Sequence, residues 1–290
     1  MVKYSKENEK SLNPDYQNPD QKETQSVFDK NSDKSTFEFP TELIDLPSNG
    51  LVYPKSNPLS SGQVEIRYMT AKDEDILTSQ NLIQKGVVID KLLQSLIVSD
   101  INYSNLTIGD KNAIMIASRI FGYGKDYPSN IVCPKCGETE QITVDLTTLG
   151  NIEVDAKKYN RDNIYTFTMP KSKKVITFKL MTQLDEQKIA DELKHIRDFN
   201  KKSNIKDSTS SEFTTRLKHI ILSVNDDSSQ QIIRKFVDTE LYSVDSLELR
   251  KYIKELTPDV DMTFEYTCSN CGGMTAMGVP MTVEFFWPKA

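Results

Sequence analysis

The reading of this chain turns on two short stretches, Cys133-Pro134-Lys135-Cys136-Gly137 and Cys268-Ser269-Asn270-Cys271-Gly272. Each is a C-x-x-C pair followed by glycine, and together they use all 4 cysteines of the 290-residue sequence. Zinc takes four thiolates in tetrahedral geometry, and a two-residue spacer lets both sulfurs of a pair face one ion. The glycine after each pair allows a tight turn there. Such a closed site has no position left for water, so it is structural and not catalytic. The 131 residues between Cys136 and Cys268 far exceed the roughly 15 to 20 of a linear zinc pattern. A shared site would therefore fasten two distant parts of the chain together. Two other readings compete with it. A thioredoxin-like redox pair opens a helix in a βαβ unit, whereas Gly137 and a strand pattern follow the first pair and Gly272-Gly273 follows the second. Structural disulfides require an oxidising compartment, and the first 30 residues are polar and charged, unlike a signal peptide. The expectation carried forward is one structural zinc on Cys133, Cys136, Cys268 and Cys271.

Working outward, strand patterns border both knuckles. Gln141 to Leu146 follows the first pair, Met262 to Thr267 leads into the second, and Thr282 to Trp287 leaves it, giving ribbon segments at 131–146 and 262–287. Gln63 to Met69 alternates as a strand, and Asn163 to Leu180 reads as two strands around a Pro-Lys-Ser-Lys turn. Helical spacing is expected from Thr70, which forms a capping box with Asp73, and over Val87 to Ile97. A further helix runs from about Thr107 to a stop at Phe121-Gly122-Tyr123-Gly124. Later helices are expected at 185–199, 212–224, 230–236 and 244–255, with polar linkers at 201–211 and 225–229. The fold class is α+β, helical segments around short strands, with a split zinc-ribbon-like four-cysteine site. Residues 1–36 carry few large apolar groups and read as a disordered tail, leaving 37–290 as the folded domain.

With 36 basic and 42 acidic residues the formal charge is -6, so no general attraction to nucleic-acid phosphates or anionic lipid is expected. No apolar run reaches the roughly 18 residues of a membrane helix, and the chain reads as soluble and intracellular. The only 2 histidines, His195 and His219, supply acid–base chemistry poorly. His195 reads as part of a solvated helix face and His219 as a half-buried packing residue. Phosphate-binding loops and hydrolase elbows are missing from the sequence, and the Lys171-Ser172-Lys173-Lys174 run reads as a solubilising turn. The chain is not expected to be an enzyme.

Several segments in order resemble the baseplate protein family of T-even-like contractile-tailed bacteriophages, the family of the baseplate hub assembly protein. They are Leu46-Pro47-Ser48-Asn49-Gly50-Leu51-Val52-Tyr53-Pro54, Met69 to Leu77, the Gly109 to Arg119 helix closing on Tyr123-Gly124, the two knuckles, and Phe285-Phe286-Trp287-Pro288. The resemblance implies a building or assembly protein of the central baseplate hub, working by contact with other hub and tail proteins, either in the host cytoplasm during assembly alone or also in the virion tail baseplate. Aromatic and loop residues are favoured interface anchors, which makes Leu46, Pro47, Leu51, Tyr53, Phe285, Phe286 and Trp287 the candidate contacts. The competing use of the C-terminal aromatics is to pack the ribbon core. The alternative function is a nucleic-acid-binding zinc-ribbon regulator, against which stand the acidic neighbours Glu138, Glu140, Asp145, Asp261 and Glu265.

Overall fold

Short antiparallel strands alternate with helices along the chain because period-two and helical apolar patterns alternate in the sequence. The computed structural model describes residues 40–203, 211–280 and 285–286. The expected disordered tail, Phe37 to Phe39, most of the 201–211 linker and Trp287 lie outside the described residues. The described residues fall in one compact unit, Phe39–Ala290.

Strands β1 (Thr41–Asp45) and β2 (Gln63–Arg67) pair antiparallel. Helices α1 (Ala71–Thr78), α2 (Gln80–Lys85), α3 (Val88–Leu96) and α4 (Ile108–Tyr123) follow. A hairpin of β3 (Asp126–Val132) and β4 (Thr139–Asp145) comes next. The middle of the chain forms a three-stranded sheet in the order β5 (Tyr165–Thr168), β6 (Val175–Phe178), β7 (Ile221–Val224). Around it lie α5 (Gln183–Lys202), α6 (Glu212–Ile220), α7 (Gln230–Lys235) and α8 (Ser243–Leu256). A second hairpin, β8 (Thr263–Thr267) with β9 (Met274–Gly278), completes the described fold. The result is the mixed α+β architecture expected, with the two knuckles brought together from distant segments.

The capping box is present: the Thr70 amide and hydroxyl both donate to Asp73 Oδ2 at 2.9 Å. Arg67 grips the same carboxylate at 2.7 and 2.8 Å, tying the end of β2 to the start of α1. Three expectations need correction. The helix expected over 212–224 ends at Ile220, and Ile221–Val224 instead pairs with β6 as an edge strand, because its run of apolar residues suits a buried strand as well as a helix. Helix α2 and strand β3 were not expected as separate elements. The strand that follows the second knuckle directly is Met274–Gly278, which closes five register pairs after the turn; of the strand expected over Thr282 to Trp287, residues 282–284 and 287 lie outside the described residues, and Phe285 and Phe286 are not in a strand.

The Leu46 to Pro54 loop is pinned from beneath. Asn49 and Gly50 take left-handed φ of 48° and 71°, as the turn chemistry requires. Asp110, in the first turn of α4 and wholly buried, accepts from the Ser48 amide at 3.0 Å, the Ser48 hydroxyl at 2.8 Å and the Tyr53 hydroxyl. Burial pushes the Asp110 carboxyl above its usual range, and these donors only partly oppose it. A raised folded pKa means that this group's contribution to stability is greatest below the unfolded value and is lost as pH rises through the folded one. Leaving a buried donor unpaired costs about 1–3 kcal/mol, so Asp110→Ala, which strands the Ser48 amide and hydroxyl and leaves the Tyr53 hydroxyl only Thr107 Oγ1 at 3.3 Å, should lower the unfolding free energy by about 2 kcal/mol or more. An unchanged urea midpoint would refute that role.

This anchoring corrects the expectation that the loop faces outward. Of the candidate contacts in it, Leu46, Pro47 and Tyr53 are buried and Leu51 keeps partial exposure, since Leu46, Val52 and Tyr53 join the larger core with β2, β6 and α8. The C-terminal aromatics are interior as well. Phe285 and Phe286 are each 2 % exposed. Phe285 packs edge-on against Tyr127 at 5.2 Å and against Phe286 at 5.1 Å. Both residues are used in packing, in a core shared with Leu92, Tyr127 and Val144 and not in the ribbon core of Ile131, Cys133, Tyr266 and Cys268.

Candidate metal centre

The two knuckles are the turns of the two hairpins, and they are built alike. In the first, Gly137 donates its amide to the Cys133 carbonyl at 2.9 Å and Cys133 donates to Glu138 at 2.8 Å. In the second, Gly272 donates to Cys268 at 2.9 Å and Cys268 to Gly273 at 3.1 Å. Gly137 and Gly272 have φ of 76° and 63°, a left-handed conformation that a side chain would strain. The first cysteine of each knuckle is buried and the second exposed.

The hairpins meet through a small core of Ile131, Cys133, Tyr266 and Cys268, with Ile142, Phe264 and Met277 against it. Polar contacts hold the register between them. Glu140 on β4 accepts from the Tyr266 hydroxyl at 2.8 Å and lies 3.4 Å from the Ser269 amide. Lower down, Ile152 donates to Asp259 at 2.8 Å and Asp261 to Gly150 at 2.7 Å, so the chain entering β8 is laid along the chain leaving β4.

This brings all four sulfurs within 4.8 Å of one another. Cys133 and Cys271 are 3.8 Å apart at Sγ, and Cys136 and Cys268 are 3.7 Å apart. A tetrahedron with metal–sulfur bonds of about 2.3 Å has edges of about 3.8 Å, so the donor set and its spacing fit a metal such as zinc. The electrostatics agree. The Tyr266 hydroxyl and the amides of Cys271 and Asn270 pull the Cys268 thiol down to about 6. The Gly273 amide favours the Cys271 thiolate too, but the neighbouring Cys136, Cys268 and Cys133 sulfurs and partial desolvation outweigh it and push Cys271 up to about 11. The protein thus favours a first thiolate and resists crowding a second beside it, a resistance that a divalent cation reverses.

A family model for the T4 bacteriophage base plate protein matches residues 42–287. The chain belongs to that family. No curated protein and no solved structure matches it. Base plate membership places the chain among phage tail proteins, with other tail proteins as partners and the virion tail baseplate as the setting. No helix among the described residues is long and apolar enough to cross a membrane.

Outside the cysteines, the weaker sequence candidates resolve into structural roles. His219 pairs with Glu192 at 2.8 Å, and Arg234 grips the same carboxylate. His195 is exposed on α5. The lysine-rich turn between β5 and β6 is held by a carboxylate: Asp245 accepts from the Lys171 and Ser172 amides at 2.6 and 3.0 Å. Sequence reasoning missed Glu140, Asp110 and Asp245 as organising residues. Each works across 57 residues or more, and no local pattern marks such a pairing.

Proposed function

We propose that this base plate family member is a hub component or hub assembly factor that works by protein–protein contact and without enzymatic chemistry, with one zinc held by Cys133, Cys136, Cys268 and Cys271. The observation that carries the zinc is the four-sulfur cluster at tetrahedral spacing. The reading of the function rests on the family match across most of the chain and on the ordered segments that resemble hub proteins. When bound, the zinc supplies a cross-link and charge neutralisation. The chain's own residues do the rest: Glu140 sets one hairpin against the other, the glycines shape the knuckles, and Asp110 stiffens the loop ahead of α4. Of the candidate contacts, Leu51 is the described residue with access to solvent, and Trp287 remains proposed beside it.

The nucleic-acid alternative finds little support at the knuckles. Glu138, Asp261 and Glu265 are exposed there, and an acidic rim repels phosphate. Protein purified without chelator should contain close to one zinc per chain by elemental analysis. Co-expression with neighbouring tail proteins should yield a co-purifying complex that Leu51→Asp and Trp287→Ala weaken. A protein that stays monomeric with every tail component and binds nucleic acid tightly at physiological salt would replace this reading with the alternative.

A further inference from the structure

Two sulfur contacts run between the knuckles, Cys133 with Cys271 at 3.8 Å and Cys136 with Cys268 at 3.7 Å, within a cluster whose four sulfurs all lie within 4.8 Å of one another. Each of these pairs joins one exposed cysteine to one buried cysteine, since Cys136 and Cys271 are exposed while Cys133 and Cys268 are buried. The arrangement follows from the likeness of the two turns, which face each other head to tail so that the second position of one knuckle lies beside the first position of the other.

We propose that the metal-free site is a peroxide-sensitive modification site that closes into two inter-knuckle disulfides, Cys133–Cys271 and Cys136–Cys268. The oxidant class is a peroxide. An exposed thiolate, Cys136 or Cys271, attacks the peroxide oxygen and becomes a sulfenic acid as the O–O bond breaks and hydroxide leaves. The buried partner's thiolate then attacks the sulfenic sulfur, the S–S bond forms, and the S–OH oxygen departs as water after taking up a proton. For each pair two thiols lose two electrons and two protons, and one hydrogen peroxide becomes two waters. A disulfide needs sulfurs about 2.05 Å apart, so from 3.8 and 3.7 Å each pair must close by under about 2 Å.

The consequence is a junction with two chemical forms. Held by metal or by paired disulfides, the β3–β4 and β8–β9 hairpins stay fastened, whereas disulfides within each C-x-x-C would leave them separate. Cross-links spanning 138 and 132 residues also restrict the unfolded chain far more than two-residue closures do.

The test uses the full-length chain, stripped with a chelator, freed of it, and treated with hydrogen peroxide at two equivalents per chain. Peptide mapping without reductant should recover Cys133 linked to Cys271 and Cys136 linked to Cys268, and the oxidised chain should migrate faster than the reduced one on a non-reducing denaturing gel. Cys133→Ser/Cys271→Ser should keep the Cys136–Cys268 link alone. Recovery of Cys133–Cys136 and Cys268–Cys271, or of sulfinic acids without cross-links, would overturn the proposal. A parallel sample preloaded with zinc separates this inference from the metal reading. Cross-links that form as mapped but are not slowed by zinc would leave the inference standing and count against the zinc site, while slowed oxidation to intra-knuckle disulfides would do the reverse.

Discussion

Cys268→Ser should abolish stoichiometric zinc and loosen both hairpins together, not merely the C-terminal one. Cys268 is 1 % exposed and sits in the core that Ile131, Cys133 and Tyr266 form between the hairpins. A serine hydroxyl there is a poor zinc ligand and fills the sulfur's place with a buried polar group. Binding free energy at a site absent from the unfolded chain is folding free energy, and at free metal a thousandfold above Kd it amounts to about 4 kcal/mol. The expected result is a fall of that order in unfolding free energy in zinc-containing buffer, shrinking with chelator present to the smaller cost of the buried hydroxyl alone. Hydrogen exchange should show amides of β3–β4 and β8–β9 losing protection in parallel, because Glu140, Tyr266 and the Asn151–Val260 bridge couple them. Loss confined to residues 262–279 would show that the second knuckle folds by itself and that the cysteines do not share an ion. Acid should imitate the substitution in the wild type, since the thiols must lose their protons to bind and metal is released as pH falls.

What the sequence made legible follows from how local each signal is. The knuckles were readable because two cysteines, their spacer and their glycine lie within five residues and encode one turn; the fold then repeats that turn with the same two backbone hydrogen bonds. The α1 capping box was readable for the same reason, since Thr70 and Asp73 lie three residues apart. Strand β7 was not, because Ile221-Leu222-Ser223-Val224 continues the apolar run of α6 and only pairing with β6 decides its state. The orientation of exposed-looking aromatics was also illegible. Tyr53, Phe285 and Phe286 look like interface anchors in isolation, yet Asp110 and Tyr127, remote in sequence, draw them inward. Buried carboxylates that organise loops leave little trace in a single sequence, because an Asp in a helix's first turn is already favoured there by the helix dipole.

Gly109→Ala should be among the most damaging single substitutions in the chain, although it adds one methyl and raises helix propensity. Gly109 lies in the first turn of α4, where the backbone of Pro258 crosses directly above it. A Cβ built on Gly109 would stand 1.9 Å from the Pro258 carbonyl oxygen and 2.9 Å from the Asp259 Cα. These are backbone atoms, so no rotamer change relieves the clash. The crossing segment is also fixed on its other side, where Asn112 donates to Asp259 at 3.0 Å and Ile152 donates to the Asp259 carbonyl at 2.8 Å. Relief must come from lifting residues 258–261 off α4, which drags on the chain entering β8 and hence on the second knuckle. Overpacking of this kind costs about 1–3 kcal/mol and occasionally more, against a gain of about 1 kcal/mol from replacing helical glycine. The backbone contact places the clash at the upper end of that range, so the net effect is about 2 kcal/mol of lost stability. Gly150→Ala is the matched control, because a Cβ there meets nothing within 4 Å and its unfolding midpoint should stay close to wild type. Equal midpoints for the two variants would show that the Pro258 crossing is not a fixed part of the fold. A lower midpoint for Gly109→Ala together with reduced zinc content would tie the start of α4 to the metal centre through the chain that enters β8.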